Sequence, residues 1–327
     1  MRRGVKVLAL AAAVSLAAAC GSSGDSDGQS ADAGSGSGGL TDVTVGIVPF
    51  TPNAVLFLAQ EKGIFKEHGL NVKTESAAAP TPIVASMVAG KQQFGFLTTP
   101  VLINASAQGT DVKCVSPIDG QVAPDRDASA LVAAKDSGIT SVDQLSGKTV
   151  AVVQLSSINL IGAQELITKA GGKDTKFVAM PFPQMPQALA DGRVDAAVIT
   201  SPYVETALQA GAVALAHPSS DLWPGGTIYC YAATASYLEK NPKVAQSFQD
   251  AMTEAIEYTK DHEDEAKATL VKGLKLTPEA AQAQVLPTNF VPEINTDSIA
   301  SIQDVMSEQG AIKKKVDPED LVWKPKG

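Results

Sequence analysis

The chain has 327 residues, of which 44% are hydrophobic and 19% are charged, and its formal net charge is -9. This length and aliphatic content are sufficient for a sizeable core, and two lobes are the default expectation for such a chain. The acidic balance argues against nucleic acid as a partner. The three histidines, His68, His217 and His262, have no partner at metal-ligand spacing, which argues against a zinc site.

The first twenty residues, MRRGVKVLALAAAVSLAAAC, predict an export signal peptide. Arg2, Arg3 and Lys6 precede an apolar stretch too short to span a bilayer, and small residues precede Cys20. The sequence LAAAC resembles a bacterial lipobox, which implies acylation of Cys20 and an anchor at the outer face of the cell membrane. The alternative is plain secretion, because Ala17 stands where the usual lipobox has leucine.

Residues 21–41 are rich in glycine, serine, alanine and aspartate, which predicts a flexible linker. After it, apolar strand-like runs alternate with helical segments of about ten residues, which predicts βαβ units and a mainly parallel sheet. The predicted strands of this part include VTVGIV (43–48), LNVKT (70–74), FGFLTT (94–99) and VKCVS (112–116).

From SALVAAKDSGI (129–139) the chain changes over to a second predicted sheet, with strands TVAVV (149–153), FVAMPF (177–182) and VDAAVIT (194–200). Residues 242–271 then predict one long amphipathic helix. Its apolar stripe, interpreted as core, contains Val244, Phe248, Met252, Ile256 and Thr259.

Two segments of the chain share a plan. Residues 85–109 and 186–211 both run from a helix through glycine and a strand to a threonine- or serine-proline pair. Gly90 and Pro100 are ten residues apart, as are Gly192 and Pro202. This correspondence predicts two similar α/β lobes that face each other, because two units are too few for a solenoid.

Four loops that follow predicted strands carry small polar residues, and ligands of open parallel sheets bind at such strand ends. Helix capping alone could account for these residues. Helix N-termini also offer unpaired N–H donors and a positive dipole end, so a cluster of them predicts an oxyanion site. The candidate ligand contacts are Thr51, Asn53, Thr98, Thr99, Ser156, Ser157, Asn159, Thr200 and Ser201.

Aromatic residues near these loops are candidates for the walls of the same site. Phe50 and Tyr203 lie within or just after the polar loops, and Tyr229 follows from a later strand, with Trp223 and Tyr231 as further candidates. None of the four loops contains lysine or arginine, so an anion would be held by neutral donors. Cys114 and Cys230 lie in strand-like runs, and either a disulfide or two buried free thiols fits them.

No catalytic constellation or metal motif is present. A literal GxGxxG at Gly34, Gly36 and Gly39 lies in the predicted linker, with no strand before it and no helix start after it, so it does not indicate a dinucleotide site. The order of the motifs resembles a known family. LAQEKGIFKEHGLNV, MVAGKQQFGF, KDSGITSVDQLSGKTVAV and ALADGRVDAAVITSPYVETALQAG are similar to segments of the substrate-binding proteins of nitrate, sulfonate and taurine ABC importers and their thiamine-precursor relatives. The resemblance implies the type II periplasmic-binding-protein fold, in which a hinge connects two α/β lobes and the ligand lies between them.

The same resemblance implies a monomer that binds a small molecule without a cofactor and delivers it to a membrane permease. The expected lobes are residues 42–134 with 225–327, and residues 135–224. A small organic anion, sulfonate or carboxylate, is the expected ligand, and a neutral heterocycle such as a thiamine pyrimidine precursor is the alternative. A related pyrimidine synthase carries a cysteine-rich motif and an active-site histidine, which this chain lacks, so no enzyme activity is expected. A further alternative is a lipoprotein that senses its ligand for a membrane kinase, and it would differ from an importer component only in its partner.

Overall fold

The structure is a computed structural model that describes residues 39–123 and 126–325. The predicted signal peptide, the lipidation site at Cys20 and nearly all of the predicted linker lie outside the described residues. Among the described residues, we find no helix with the length and apolar character needed to cross a membrane.

The described part of the chain forms ten strands. In chain order they are β1 (Thr41–Ile47), β2 (Leu70–Ser76), β3 (Phe94–Thr98), β4 (Val112–Pro117), β5 (Ser129–Ala133), β6 (Thr149–Val152), β7 (Lys176–Ala179), β8 (Ala196–Thr200), β9 (Val213–Ala216) and β10 (Tyr229–Thr234).

Thirteen α-helices accompany these strands within the described ranges. They are α1 (Ala54–Lys62), α2 (Ile64–Glu67), α3 (Pro80–Val88), α4 (Thr99–Ala107), α5 (Ile158–Lys169), α6 (Met185–Ala190), α7 (Tyr203–Gln209), α8 (Pro218–Leu222), α9 (Ala235–Lys240), α10 (Pro242–Asp261), α11 (Glu263–Gly273), α12 (Pro278–Gln282) and α13 (Thr296–Glu308).

The strands form two five-stranded sheets with the same plan. The first sheet has the order β2-β1-β3-β10-β4 and the second has the order β7-β6-β8-β5-β9. We call the elements around the first sheet lobe 1 and those around the second sheet lobe 2. The prediction of a shared plan is confirmed, because β3 and β8 occupy the same position in their sheets and end at Thr98 and Thr200.

Each sheet also contains one antiparallel strand, which the sequence prediction of a mainly parallel sheet did not include. β10 runs antiparallel to β3 and β4, and β5 runs antiparallel to β8 and β9. Both strands follow a crossover between the lobes. The chain therefore enters each sheet from the other lobe, and this entry reverses the strand direction.

Each lobe has its own apolar core. In lobe 1, β1, β3 and β10 pack against α1, α3 and α10, and the buried stripe of α10 includes Phe248, Met252 and Ile256. A Cβ atom at Gly95 in β3 would collide with the side chain of Ile83, so glycine there lets α3 lie directly on the sheet. In lobe 2, helices cover both faces of the sheet, and each face has a separate apolar cluster.

The long amphipathic helix predicted over residues 242–271 is two helices in the structure. α10 ends at Asp261 and α11 begins at Glu263, because His262 leaves the helical region with φ -133° and ψ 38°. The apolar stripe is nevertheless core as predicted. Phe248, Met252 and Thr259 are buried.

Asp127 joins the two crossovers that connect the lobes, residues 118–128 and 217–228. Its Oδ2 accepts hydrogen bonds from the backbone N–H groups of Ser219 and Ser220 at 2.9 and 3.0 Å. Its Oδ1 accepts from Ser129 N at 2.9 Å. Burial raises the pKa of the Asp127 carboxyl, although these hydrogen bonds act in the opposite direction. One carboxyl thus ties together both connections between the lobes.

The predicted lobe boundaries stay a prediction, but two of them differ from the strand pairing. Ser129–Ala133 pairs with the second sheet, whereas the boundary at residue 135 assigned it to lobe 1. The first strand begins at Thr41, the last residue of the predicted linker. In both places the hydrogen bonds of the strand, and not its composition, decide the assignment.

Candidate ligand-binding site

A small cavity lies between the lobes, at the ends of β3 and β8. Six lining residues come from lobe 1 and four from lobe 2. They are Val48, Phe50, Pro80, Phe96, Thr98 and Tyr229 from lobe 1, and Val153, Asn159, Phe182 and Thr200 from lobe 2. No lining residue carries a charge. Seven of them are apolar or aromatic, and the remaining three, Thr98, Asn159 and Thr200, have neutral polar side chains.

The internal repeat of the sequence reappears in the walls of the cavity. Thr98 and Thr200 end equivalent strands and face the same space. Pro80 begins the helix after β2, and Phe182 begins the 3₁₀ turn after β7, the equivalent position in lobe 2. The two sequence positions in each of these pairs are 102 apart. Matching loops of the two lobes therefore build the cavity.

Two buried polar atoms of the lining lack a hydrogen-bond partner among the described residues. They are Thr98 Oγ1 in lobe 1 and Asn159 Nδ2 in lobe 2. Thr98 is 4% exposed and Asn159 is 5% exposed. A buried polar atom without a partner costs about 1–3 kcal/mol. One such atom on each side of an interlobe cavity is the arrangement expected of groups that bind a shared ligand.

Other predicted contact residues have hydroxyl groups that already serve the fold. Thr99 Oγ1 donates to the carbonyl oxygen of Thr227 at 2.7 Å. Ser157 caps α5 by accepting from Leu160 N at 3.2 Å, and it donates to Gln154 O at 2.8 Å. Capping, the alternative raised by the sequence, therefore describes Ser157 well.

Asn53 shapes the loop between β1 and α1. Its Nδ2 donates to the carbonyl oxygens of Val48 and Phe50, at 2.6 and 3.1 Å, and its Oδ1 accepts from the Tyr231 hydroxyl at 3.0 Å. Both ends of the amide are thus occupied within lobe 1. Asn53 and Tyr231 hold in place the segment that carries Phe50, and neither lines the cavity.

Direct hydrogen bonds join the lobes beside the cavity. Thr51 N donates to the carbonyl oxygen of Ser201 at 3.2 Å, and Thr81 Oγ1 donates to Gln154 Oε1 at 3.3 Å. Thr51 Oγ1 donates to Gln284 Oε1 at 2.9 Å within lobe 1. The backbone N–H of Thr51, predicted as a free donor for a ligand, is therefore used to hold the lobes together.

The remaining predicted residues lie close to the cavity without lining it. Ser201 Oγ donates to Glu205 Oε1 at 2.6 Å, and Ser156 Oγ accepts from Gln154 Nε2 at 3.2 Å. Tyr203 stacks on Phe182 with ring centroids 6.5 Å apart. Five of the twelve predicted contact residues line the cavity: Phe50, Thr98, Asn159, Thr200 and Tyr229.

The cavity is too small for an organic ligand in the present arrangement of the lobes. Its volume of ≈ 20 Å³ is room for about one water molecule. A larger molecule requires the lobes to separate, which breaks the hydrogen bond between Thr51 and Ser201. The structure therefore shows a closed arrangement.

Tyr229 lines the cavity, and its hydroxyl group is neutral. Burial raises the pKa of its phenol above the ordinary value, and the nearby carboxyls of Asp127 and Asp119 act in the same direction. The phenol is therefore not an anion at physiological pH. A negatively charged ligand would meet no repulsion from this side chain.

Cys114 and Cys230 are free, buried thiols in the neighbouring strands β4 and β10. Of the two alternatives open from the sequence, the structure has the free thiols. Burial raises the pKa of the Cys114 thiol well above its ordinary value. Neither cysteine lines the cavity.

Sequence reasoning missed five lining residues: Val48, Pro80, Phe96, Val153 and Phe182. Phe96 could have been found, because residues two apart in a strand face the same side and Thr98 was already a candidate. The repeat could have supplied Pro80 and Phe182, which occupy equivalent loops. The prediction rested on small polar side chains and on the aromatic residues near them, and neither Pro80 nor Phe182 belongs to those groups.

Comparison with known proteins identifies the family. A family model described as NMT1/THI5 like matches residues 51–266. The chain belongs to this family. The matched region contains eight of the ten lining residues, all except Val48 and Phe50. The family resemblance read from the sequence motifs is thereby confirmed.

Individual relatives and solved structures agree with the family assignment. A putative aliphatic sulfonates-binding protein of Bacillus subtilis (strain 168) is 27% identical over 280 residues, which are 82% of each chain. The periplasmic aliphatic sulphonate binding protein SsuA from Escherichia coli has a TM-score of 0.70 at 24% identity, covering 86% of this chain and 97% of that chain. The periplasmic nitrate-binding protein NrtA from Synechocystis PCC 6803 has a TM-score of 0.71 at 14% identity, covering 86% and 84%. The predicted periplasmic-binding-protein fold is confirmed, and these relatives are binding proteins by name.

Proposed function

We propose that this protein is the substrate-binding lipoprotein of an ABC importer, which captures a small organic anion of the sulfonate or carboxylate class between its lobes. In this proposal the protein is a monomer, acylated at Cys20 and anchored at the outer face of the cell membrane. It delivers its ligand to a permease and catalyses no reaction. The family and the names of the relatives support the substrate class.

The observation that carries the proposal is the pair of unpaired groups, Thr98 Oγ1 and Asn159 Nδ2, on opposite sides of one cavity. Both can donate a hydrogen bond to an anionic oxygen. Because one group belongs to each lobe, only a ligand between the lobes can engage both. Thr200 adds a third hydroxyl from lobe 2.

The strength of such a site can be estimated from these donors. A hydrogen bond to a charged group contributes about 1.5–3 kcal/mol. Three or four of them therefore suffice for a binding free energy of about -8 kcal/mol, which corresponds to a micromolar Kd. No cation is needed, and an anion held by neutral donors can leave when the lobes separate.

Closure follows from contacts with both lobes. A ligand shifts the equilibrium between open and closed forms only by its difference in affinity for the two. A ligand that bonds to Thr98 and Asn159 together gains its second contact only in the closed form. The form in which the ligand contacts both lobes would then be the one presented to the permease.

The direct test is calorimetric titration of the chain without its predicted signal peptide, residues 21–327, with methanesulfonate, acetate and nitrate, and with a neutral aminopyrimidine as the comparison. We expect methanesulfonate or acetate to bind and the radius of gyration in X-ray scattering to decrease on binding. Binding of the pyrimidine alone would replace the anion proposal by the neutral-heterocycle alternative.

The anchor and the partner are tested separately. In cells of the source organism, Cys20→Ser should move the protein from the membrane fraction to the medium or the periplasm, and incorporation of labelled palmitate should disappear. Uptake of the ligand should depend on a permease and an ATPase. A ligand response that needs a membrane kinase but no permease would favour a sensing role.

A further inference from the structure

The proposed function leaves open what the apolar part of the anion is, and the walls of the cavity bear on this question. Lobe 1 contributes three aromatic rings in mutual contact. The centroid distances are 4.7 Å between Phe50 and Phe96, 5.5 Å between Phe50 and Tyr229, and 5.7 Å between Phe96 and Tyr229. All three rings are buried, with 2, 2 and 6% exposure.

Lobe 2 contributes an aromatic ring to the opposite wall. Phe182 lines the cavity, is 8% exposed and stacks on Tyr203 at an angle of 17° between the rings. Tyr203 packs against Phe182 and does not line the cavity itself. A guest that enters when the lobes separate therefore lies between the aromatic cluster of lobe 1 and the ring of Phe182.

Thickness distinguishes the guests that such a gap accepts. Carbon atoms in contact lie about 3.5–4.0 Å apart, so a flat ring fits between walls separated by about two contact distances. A puckered saturated ring carries hydrogens on both faces and needs a wider gap. Because the closed cavity has only ≈ 20 Å³, a flat ring requires the smaller displacement of the lobes from the arrangement seen here.

The chemistry of the walls favours the same guest. Aromatic rings attract one another in edge-to-face and offset arrangements beyond the effect of buried area alone. A planar unsaturated ring can form such contacts with both walls, and an aliphatic group of the same size cannot. The donors Thr98 and Asn159 are then left for the anionic group.

We propose that the ligand is an aromatic anion, either an arenesulfonate or an aromatic carboxylate. Its flat ring inserts between the aromatic cluster of Phe50, Phe96 and Tyr229 and the ring of Phe182. This inference rests on the proposed function, because the anionic group is held by the donors already described. It differs from the aliphatic sulfonates named for the relatives of this chain. Lobe separation by roughly the thickness of one ring then suffices for entry.

The test is titration of the protein without its predicted signal peptide with three sulfonate probes, benzenesulfonate, cyclohexanesulfonate and methanesulfonate, and with benzoate as the carboxylate probe. The first two share the head group and the number of carbons and differ in flatness and unsaturation. We expect benzenesulfonate to bind at least fivefold more tightly than cyclohexanesulfonate. Equal or tighter binding of cyclohexanesulfonate would overturn this inference while leaving the anion site in place, whereas failure of all three probes and of benzoate would overturn the proposed function as well.

A pair of matched variants tests whether the preference for benzenesulfonate over cyclohexanesulfonate comes from contact with Phe182. Phe182→Leu should reduce the preference for benzenesulfonate over cyclohexanesulfonate to less than twofold. The control is Phe177→Leu, the same substitution in β7 of the same lobe, at a residue that does not line the cavity. A preference that survives Phe182→Leu, or that is lost equally in the control, would contradict the assigned ring contact.

Discussion

Thr98 and Thr99 are adjacent residues with opposite roles, and substituting each by valine separates binding from stability. Threonine and valine have nearly the same shape, so each change removes one hydroxyl and little else. Thr98 Oγ1 lines the cavity without a hydrogen-bond partner among the described residues. Thr99 Oγ1 donates to Thr227 O at 2.7 Å in the interior of lobe 1.

Thr99→Val should lower stability and leave binding nearly unchanged. The variant leaves the buried carbonyl oxygen of Thr227 without this donor, at a cost of about 1–3 kcal/mol. For a domain of this size, 1 kcal/mol changes Tm by about 2–4 °C. We therefore expect Tm of the empty protein to fall by roughly 2–12 °C.

Thr98→Val should have the reverse effect. Removing a buried hydroxyl that lacks a partner relieves a desolvation cost of about 1–3 kcal/mol, so Tm of the empty protein should stay constant or rise. Binding loses a hydrogen bond to an anion, which contributes about 1.5–3 kcal/mol. This loss corresponds to a Kd roughly 10- to 150-fold weaker.

Thermal melts of the empty variants and calorimetric titration with benzenesulfonate and methanesulfonate measure both quantities. Titration of the unsubstituted protein under the same buffer conditions is the reference. If Thr98→Val melted several degrees lower and bound both probes with unchanged Kd, the hydroxyl would be structural and the assignment of the site would be wrong. Loss of binding in Thr99→Val with an unchanged Tm would contradict it equally.

Three further variants test the structure around the site. Burial raises the pKa of Asp119 well above its ordinary value, so the contribution of this carboxyl to stability is present below about pH 4 and is lost as pH rises through the raised pKa. Asp119→Asn cannot ionise and should therefore become more stable than the parent protein as pH increases. Urea unfolding from pH 4 to 8 measures this difference, with Asp136→Asn at an exposed position as the control. Tyr231→Phe should lower Tm by several degrees, because Asn53 Oδ1 loses a buried hydrogen bond costing about 1–3 kcal/mol; an unchanged Tm would show that the bond does not hold the loop. Ser157→Ala should cost about 1 kcal/mol by removing the cap of α5, without a change in the Kd of methanesulfonate.

The sequence was sufficient to predict the two-lobe architecture because its repeat is a repeat of spacing. Gly90 and Gly192 each end a helix before a buried strand, and the strands end at equivalent threonines. Apolar periodicity and these punctuating residues act locally, so they can be read from one chain. The same repeat placed Thr98 and Thr200 together, and the structure has them in one cavity.

The roles of individual polar residues could not be read in this way. Thr99 finds its acceptor 128 residues later in the chain, and Asn53 finds its donor 178 residues later. Both hydrogen-bond partners lie in the part of the chain that follows its return to lobe 1. No local sequence pattern predicts them. A loop of threonines and asparagines therefore predicts the location of a site better than it predicts which hydroxyl is free.

The direction of the antiparallel strands could not be predicted for a similar reason. Composition marks β5 and β10 as strands, but their direction depends on the route of the chain between the lobes. Each follows a crossover and enters its sheet between two strands that run the other way. Direction depends on the route of the connection between the lobes, and local composition and periodicity do not determine that route.

Capture of an anion without a cation has a consequence for salt dependence, which is the last prediction. The lining is neutral, and the net charge becomes about -12 when the three cations of the predicted signal peptide are removed. Long-range electrostatics therefore oppose the approach of an anion, and this repulsion is screened as the Debye length falls from about 30 Å at 0.01 M salt to about 3 Å at 1 M. We expect the association rate of benzenesulfonate in stopped-flow experiments to rise modestly between 10 and 500 mM NaCl. A site lined by lysine or arginine gives the opposite sign, so a rate that falls steeply with added salt would refute the assignment of a neutral cavity as the binding site.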